Sequence, residues 1–292
     1  MTAPQTFPYA PPSPFASQIP IEQTRLSHAL HSEWTKIRTV RSTMWTLGVM
    51  LFLVIGINLL VVIPISDSND TTVPVLAAGL FGLMLGQLAI ITLGVLVITS
   101  EYGTGMIRTT FTSCPQRSRV LAAKAIVFFG LSFVTTTVAC TVTALVSWSV
   151  VGGKTWSPGE GTQAGVVIRN GVTTASAAEW LGATVGVGLY VALLGLLALA
   201  VGTLLRHSAG AITTMLGVVL LPLLVAIFLP DSLASARDGL IRFSSPNSLA
   251  SLYRIPMIGS DNQNGVLQLI VLACITAAAL TAAFITLNTR DV

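Results

Sequence analysis

Six long segments without a charged residue constrain this chain more than any other feature. They occupy residues 42–66, 71–100, 125–153, 180–205, 207–230 and 262–289. Each is long enough to hold the roughly 20 apolar residues that cross the hydrocarbon core of a bilayer. Only 9% of the residues are charged, whereas soluble domains carry about 25%. The chain is therefore predicted to be a membrane protein.

The uncharged segments are predicted to cross the membrane as α-helices. Inside hydrocarbon, backbone N–H and C=O groups must be paired within a helix or a closed barrel. Barrel strands would show polar residues at alternate positions over about ten residues, and no such alternation occurs here. We expect an all-α membrane protein with about six transmembrane helices in one domain, residues 44–292. The spans are expected near residues 44–64, 75–100, 122–151, 180–205, 208–229 and 264–288.

The N-terminal segment is predicted to remain outside any packed core. Six prolines and no charged residue occur in the first twenty positions, so residues 1–23 are expected to form a disordered, polyproline-like tail on the cytoplasmic side. The tail has no basic start followed by an apolar core, and it therefore does not resemble a signal peptide.

An amphipathic helix is predicted at residues 24–43, immediately before the first span. Its apolar residues are spaced by three and four, at Leu26, Leu30, Trp34, Ile37, Val40 and Met44. We expect this elbow helix to lie flat on the membrane surface, with Trp34, Lys36, Arg38 and Arg41 at the interface. The alternatives are a soluble helix or a simple cluster of charges beside the membrane.

The basic residues predict how the spans are oriented. Cytoplasmic loops of membrane proteins carry an excess of Lys and Arg. Of the 15 basic residues, ten fall on the side that holds the N-terminal segment, the second-to-third and fourth-to-fifth connections and the C-terminus. We therefore expect a multi-pass protein of the cell membrane with both termini in the cytoplasm. The same distribution explains the net charge of +4 without a nucleic-acid partner.

The sequence carries no catalytic signature. Membrane enzymes and proton-coupled transporters keep ionisable groups within their spans, and the six predicted cores contain none. The three cysteines are scattered and only three histidines occur, so neither a disulfide framework nor a metal site is expected. Gly153-Lys154-Thr155 resembles the end of a Walker A loop, but Trp148 stands where its first glycine is required. We predict that the chain is not an enzyme and binds no cofactor or metal.

Residues 101–124, which follow the second predicted span, form the most informative connection. Glu101 stands at the C-terminal end of a helix, where the helix dipole disfavours a carboxylate. It needs a basic partner, which would be either Arg108 or a residue of another protein. Residues 106–111 are predicted to form a short helix parallel to the membrane. The simpler alternative is that Glu101 is a solvated charge at the membrane boundary.

Two further patterns concern packing. Gly82 and Gly86 in the second span, and Gly182 and Gly186 in the fourth, have the G-x-x-x-G spacing that allows close helix contact. They predict contacts either within the chain or between two copies.

Residues 231–261 contain short apolar runs, which are predicted to form interfacial or partly re-entrant helices.

Three segments of the chain resemble those of actinobacterial ABC-2 type transporter permeases. They are SEWTKIRTVRS at residues 32–42, the segment from Glu101 to Arg119 followed by VLAAK, and the terminal Arg290-Asp291-Val292. Their order and their positions relative to six spans strengthen the resemblance. It covers the whole chain after the N-terminal tail.

The resemblance implies the membrane subunit of an ATP-binding-cassette exporter. In that family two six-span subunits pair, and each docks on a separate cytoplasmic ATPase subunit that binds ATP and Mg. The elbow and the first cytoplasmic loop form the docking region, which makes Glu101, Tyr102, Gly105, Arg108 and Arg117 the expected coupling residues. The expected partners are thus an ATPase, a second permease copy or homologue, and the lipid bilayer.

Other functions remain open from the residues alone. A secondary transporter or channel would need intramembrane acidic residues, broken helices or a filter loop, and Pro222 is the only proline well inside a span. A membrane enzyme would need paired ionisable groups within the bilayer. A structural or regulatory membrane protein would leave no signature. A neighbouring gene for a soluble Walker-motif ATPase would favour the permease over all three.

Overall fold

Six long apolar helices confirm the predicted all-α membrane fold. The computed structural model describes residues 25–71, 74–113, 116–156, 167–169, 172–255 and 265–289. The spans are α2 (Arg41–Ser66), α3 (Ala78–Gly103), α5 (Arg117–Val151), a fourth span over Ala177–Leu205, α8 (Ser208–Phe228) and α11 (Val266–Thr289). Their ends lie within three residues of the predicted ones, except that α5 begins five residues earlier. The proline-rich tail and Arg290-Asp291-Val292 lie outside the described residues.

The helix before the first span, α1 (Leu26–Thr39), is separated from α2 by a single residue. Val40 has an extended backbone with ψ of 112°, which ends α1 and lets the chain change direction before Arg41. The predicted elbow helix is therefore four residues shorter than expected at its C-terminal end. Its apolar stripe also divides, because Ile37 is buried whereas Leu26, Trp34, Val40 and Met44 are exposed. The position of α1 relative to lipid stays a prediction.

The fourth span, together with α3, forms the centre of the bundle. It consists of α6 (Ala177–Leu181), a π-helical turn (Gly182–Gly186) and α7 (Val187–Leu205). Gly94 of α3 faces the Gly195 carbonyl of α7 so closely that a Cβ on Gly94 would overlap it. Small residues of this kind let membrane helices approach, since dispersion contacts drive their packing.

Both G-x-x-x-G pairs make contacts within the chain. A Cβ on Gly82 would lie 2.6 Å from the Val54 carbonyl oxygen of α2, and one on Gly86 would lie 2.6 Å from a Val54 methyl group. Gly182 faces the Leu252 carbonyl in the same way. Of the two expectations, contact within the chain therefore accounts for these glycines.

A small β-sheet covers one end of the bundle, and we call this end the sheet side. The opposite end, beside α1, is called the α1 side. The strands of the sheet are β1 (Asp70–Thr71), β2 (Thr155–Trp156), β3 (Val167–Arg169) and β4 (Val172–Thr174), in the order β1-β2-β4-β3. β1 and β2 are parallel, and the other pairs are antiparallel. The sheet was not predicted, because strands of two or three residues are too short to show alternation.

Lys154, in the Walker-like sequence, caps the first span. Its Nζ atom donates hydrogen bonds to the carbonyls of Ile65 (2.6 Å) and Ser66 (3.0 Å), and also to that of Ser68. The last carbonyls of a helix lack intrahelical partners and carry the negative end of its dipole, so a cation is favoured there. This lysine therefore has a structural role.

Two short helices after α8 form a hairpin that enters the bundle from the sheet side. A 3₁₀ turn (Asp231–Leu233) leads into α9 (Ala234–Phe243), and α10 (Ser245–Leu252) follows directly. At the start of α10, Ser245 Oγ donates a 2.7 Å hydrogen bond to Gln87 Oε1, well inside α3. At its end, the Tyr253 hydroxyl faces Gly79, near the start of α3. The short helices predicted within residues 231–261 are therefore present as α9 and α10, and their position relative to lipid stays a prediction.

A short helix on the α1 side, α4 (Met106–Ser113), lies between α3 and α5. Gly105 precedes it with a φ of +71°, a left-handed conformation that favours glycine. The prediction of a short helix over residues 106–111 is confirmed.

Candidate functional site

Four charged side chains from three helices meet on the α1 side in a closed network of ion pairs. The Nζ atom of Lys124 (α5) lies 2.7 Å from Glu33 Oε2 and 2.9 Å from Glu101 Oε1. The Nζ atom of Lys36 lies 2.8 Å from Glu33 Oε1 and 3.0 Å from Glu101 Oε1. Each lysine thus contacts both glutamates, and the network as a whole is neutral. We call these four residues the ion-pair network.

Most of the network is removed from water. Lys124 is 1% exposed, Glu33 4% and Glu101 6%, whereas the side chain of Lys36 is 30% exposed. Burying a charge costs several kcal/mol of desolvation, which its partners must offset. Removing one partner from such a pair leaves an uncompensated buried charge and costs about 3–5 kcal/mol. The network therefore strongly favours one arrangement of α1 against α3 and α5.

The sequence brings these groups together through simple helix geometry. Glu33 and Lys36 are three residues apart on α1 and therefore share a face. Glu101 belongs to the last turn of α3, where the dipole is unfavourable, and two ammonium groups compensate it. Its Oε2 atom accepts no hydrogen bond from the described residues. Lys124 follows the first two turns of α5 and reaches across to both other helices.

The two network members on α1 have pKa values shifted toward their charged forms. Burial by itself would raise the pKa of Glu33, but the ammonium of Lys124, and then that of Lys36, lower it below its ordinary value. Burial would likewise lower the pKa of Lys36, but hydrogen bonds and attraction to Glu33 and Glu101 raise it. Both groups are therefore charged at neutral pH.

Two cavities flank the network. One, of about 360 Å³, lies between α1, α2 and α3 and is lined mainly by apolar side chains such as Ile37 and Leu93. The other, of about 480 Å³, lies between α1 and α4 and is lined by Arg25, His28 and Thr109, among others. We call the second cavity the α1–α4 groove.

The structure gives Glu101 two basic partners that the sequence did not identify. Among the described residues they are Lys36 and Lys124 of the same chain. The backbone of Arg108 belongs to α4, but its side chain lies outside the described residues, so a pairing of Glu101 with Arg108 or with another protein stays a prediction. The alternative of a solvated boundary charge is wrong, because the carboxylate is buried.

The other expected coupling residues surround the network without joining it. Tyr102 follows Glu101, and its ring lies 5.3 Å from the Arg206 guanidinium carbon. Arg117 begins α5 and donates a 3.3 Å hydrogen bond to the Leu287 carbonyl of α11. Gly105 forms the turn before α4.

Of the expected interfacial residues, only Lys36 belongs to the network. Trp34 is 44% exposed, and Arg38 and Arg41 are also exposed. These three side chains point away from the bundle and are available to lipid or to a partner.

Sequence reasoning missed Lys124 as a site residue. In the sequence it counts as one of the ten basic residues predicted on the cytoplasmic side and as the last residue of VLAAK, and neither observation gives it a partner. The available signal was its apolar surroundings, since Leu121, Ala122, Ala123, Ala125 and Ile126 flank it. An ammonium group in such a run has to find a carboxylate when the helix packs.

The described residues contain no group of three or more His, Cys, Asp or Glu side chains that could hold a metal ion. No known protein-family model matches the chain, and the curated proteins include none that matches it.

Proposed function

We propose that this chain is the permease subunit of an ABC exporter and is powered by a separate cytoplasmic ATPase. The observation that carries the proposal is the ion-pair network, which fastens the surface helix α1 to two spans at once. A force applied at α1 or α4 would reach α3 and α5 through this contact. Coupling between distant sites requires such a physically continuous connection.

In this proposal the α1–α4 groove is the docking surface. Met106, at the start of α4, is 50% exposed although it is apolar. Arg25 and His28 line the other wall of the groove. An ATPase segment carrying an apolar side chain beside acidic groups would complement this surface.

The roles of the parts follow from this arrangement. ATP and Mg would bind in the partner subunit, where hydrolysis would take place, and two permease chains would pair to form the transport path. Closure of the ATPase dimer would push α4 and α1, and the buried charges would transmit the displacement to the bundle. Glu101 then positions the helices within the chain and does not contact the ATPase.

The proposal is tested by co-expressing the chain with the soluble ABC-type ATPases encoded in the same genome and purifying the assembly. Met106→Glu combined with Thr109→Glu places two negative charges on exposed groove positions without disturbing the buried network. We expect at least a tenfold loss of co-purification. The control is Ser208→Glu, an exposed position at the start of α8 on the same side.

Wild-type behaviour of the double variant would refute docking through the groove. If no ATPase associates with folded, monodisperse wild-type chain, the permease proposal fails, and an ATP-independent transporter or a structural membrane protein takes its place.

A further inference from the structure

A stripe of polar side chains runs along the exposed face of α9 and the turn before it. Ser235, Asp238 and Arg242 are exposed and spaced by three and four residues, so they share one face of α9. Asp231, in the turn before the helix, is exposed as well. We call these residues the α9 stripe. In the second half of the neighbouring α8 the exposed residues are of the opposite kind, namely Leu220, Leu221, Leu224, Val225, Ile227 and Phe228.

The hairpin that carries the stripe reaches the middle of the bundle. Ser245 bonds to Gln87, which lies 14 residues before Glu101 in α3, about 21 Å along the helix. Toward the sheet side, Gln87 is eight residues from Gly79, which is about 12 Å along α3. Gly79 faces Thr143 of α5, and α5 continues for eight more residues, about another 12 Å, to its end at Val151. Gln87 is therefore about 24 Å from the sheet-side end of the bundle. The hydrocarbon core is only about 30 Å thick, so Ser245 lies well inside it.

Arg242 is close to this deepest point. It precedes Ser245 by three residues, which places the two Cα atoms within about 11 Å. Its guanidinium carbon lies 5.8 Å from the ring centre of Phe243. The described carboxylates near it are already engaged, because Arg237 pairs with Asp231 at 2.8 Å and approaches Asp238 at 3.8 Å. Arg242 makes no ion pair with any described residue.

An arginine facing lipid at this depth would cost at least about 2.5–3.5 kcal/mol. Charged groups at membrane depth therefore face a water-filled cavity or the protein interior. Arg242 is exposed, so water is the surrounding that satisfies it. The hydroxyl and carboxylates above it provide a polar wall from there to the sheet side.

We propose that the α9 stripe lines a water-filled vestibule open to the sheet side, and that Arg242 at its floor binds a water-borne anionic group. A guanidinium presents planar, paired donors that suit a carboxylate, phosphate or sulfonate. The vestibule follows from the membrane fold alone. Its use in transport, with an anionic substrate class, rests on the proposed permease function.

The vestibule is tested by cysteine accessibility in proteoliposomes of phosphatidylcholine. Asp238→Cys and Arg242→Cys are placed in a variant whose three native cysteines are replaced by alanine, and membrane-impermeant methanethiosulfonate reagents are added on the sheet side. We expect both positions to react at least tenfold faster than Leu220→Cys, an exposed apolar position on α8. If both positions react as slowly as Leu220→Cys, either lipid or a second copy of the chain covers them, and the proposal of a vestibule is wrong.

The anion site is tested with the Asp238→Cys variant, one helical turn from Arg242. A sulfonate-bearing reagent is compared with an ammonium-bearing one, and the ratio of their rates is measured with Arg242 and with Arg242→Gln. We expect the substitution to lower the sulfonate preference several-fold, whereas Arg237→Gln, at a residue paired with Asp231, changes it less. An unchanged ratio would overturn the site.

A third arm distinguishes a water-borne anion from a lipid headgroup. The sulfonate preference is measured again after anionic phosphatidylglycerol is added to the vesicles. We expect it to persist, and its loss would assign the site to lipid and overturn the proposal as stated. None of these measurements involves an ATPase, so their failure would leave docking at the α1–α4 groove untouched.

Discussion

The ion-pair network and the contacts of α10 both attach a short helix to the spans, but they use different chemistry. On the α1 side, Glu33, Lys36, Glu101 and Lys124 join α1 to α3 and α5 through four contacts between full charges. Inside the bundle, α10 is attached through neutral groups, of which Ser245 and Gln87 are the clearest pair. Asn58 and Ser147 form a similar neutral pair between α2 and α5.

The difference bears on how firmly each helix is held. A buried charge that loses its partner is costly, so the ion-pair network favours one arrangement strongly. Neutral hydrogen bonds between membrane helices are worth only about 0.6 kcal/mol on average. We therefore expect α1 to move with α3 and α5 as one unit, and α10 to shift at a much smaller cost.

The largest loss of stability is expected for Lys124→Met. It leaves two buried carboxylates with only Lys36 as a partner, and we expect a loss of about 3–5 kcal/mol in the free energy of unfolding. The measurement is denaturant unfolding in detergent micelles. Adding Glu101→Gln to Lys124→Met removes one of the stranded charges and should recover part of the loss. Wild-type stability in Lys124→Met would contradict the network.

The pH dependence gives the next largest effect. Because the pKa of Glu33 is lowered in the folded protein, its stabilisation is complete above the ordinary glutamate pKa of about 4.3. It is lost as the pH falls through the lower, folded pKa. Thermal unfolding of wild type and Glu33→Gln should therefore differ at pH 7, by about 2 kcal/mol. The difference in stability should shrink as the pH falls below 4. A difference that does not change with pH would contradict a lowered pKa of Glu33 in the folded protein.

For Lys36 the same reasoning has the opposite sign. Its pKa is raised by the two glutamates, so its stabilisation is present below the ordinary lysine pKa of about 10.4. It is lost as the pH rises through the higher, folded pKa. Wild type should lose stability relative to Lys36→Met only in strong alkali.

A smaller effect is expected at α10. Ser245→Ala removes the donor to Gln87 Oε1 and should lower the free energy of unfolding by about 1 kcal/mol. Ser251→Ala is the control, because among the described residues its hydroxyl bonds only to the Asn247 carbonyl of the same helix. If Ser245→Ala lowers the free energy of unfolding as much as Lys124→Met does, the neutral contacts of α10 are as strong as the ion-pair network and the comparison fails.

The smallest effect is expected for Ser147→Ala, which leaves Asn58 Oδ1 without its 2.9 Å hydrogen bond. We expect about 0.6 kcal/mol in the same unfolding assay. Ser149→Ala, at an exposed position two residues away, should be within about 0.5 kcal/mol of wild type. Equal values for the two variants would show that the neutral pair adds nothing.

The spans and the short helices α4 and α10 could be predicted because each leaves a local pattern in the sequence. The ion-pair network could be predicted only in part. The dipole argument identified Glu101 as a carboxylate that needs a partner, but Glu33 and Lys124 are 91 residues apart in the chain. No periodic pattern reports a contact of that kind, because it depends on how α1 and α5 pack. The role of Lys154 was hidden for the same reason.

The separation of Glu33 from Lys124 also sets an order of events during biosynthesis. At about 5–20 residues per second, some 5–20 s pass between synthesis of the first carboxylate and of the ammonium that neutralises it. During that interval α1, α2 and α3 carry two glutamates and one network lysine, and their arrangement is incomplete. Only when α5 has inserted do the charges balance, so the nascent chain cannot settle its first three helices before the next span arrives.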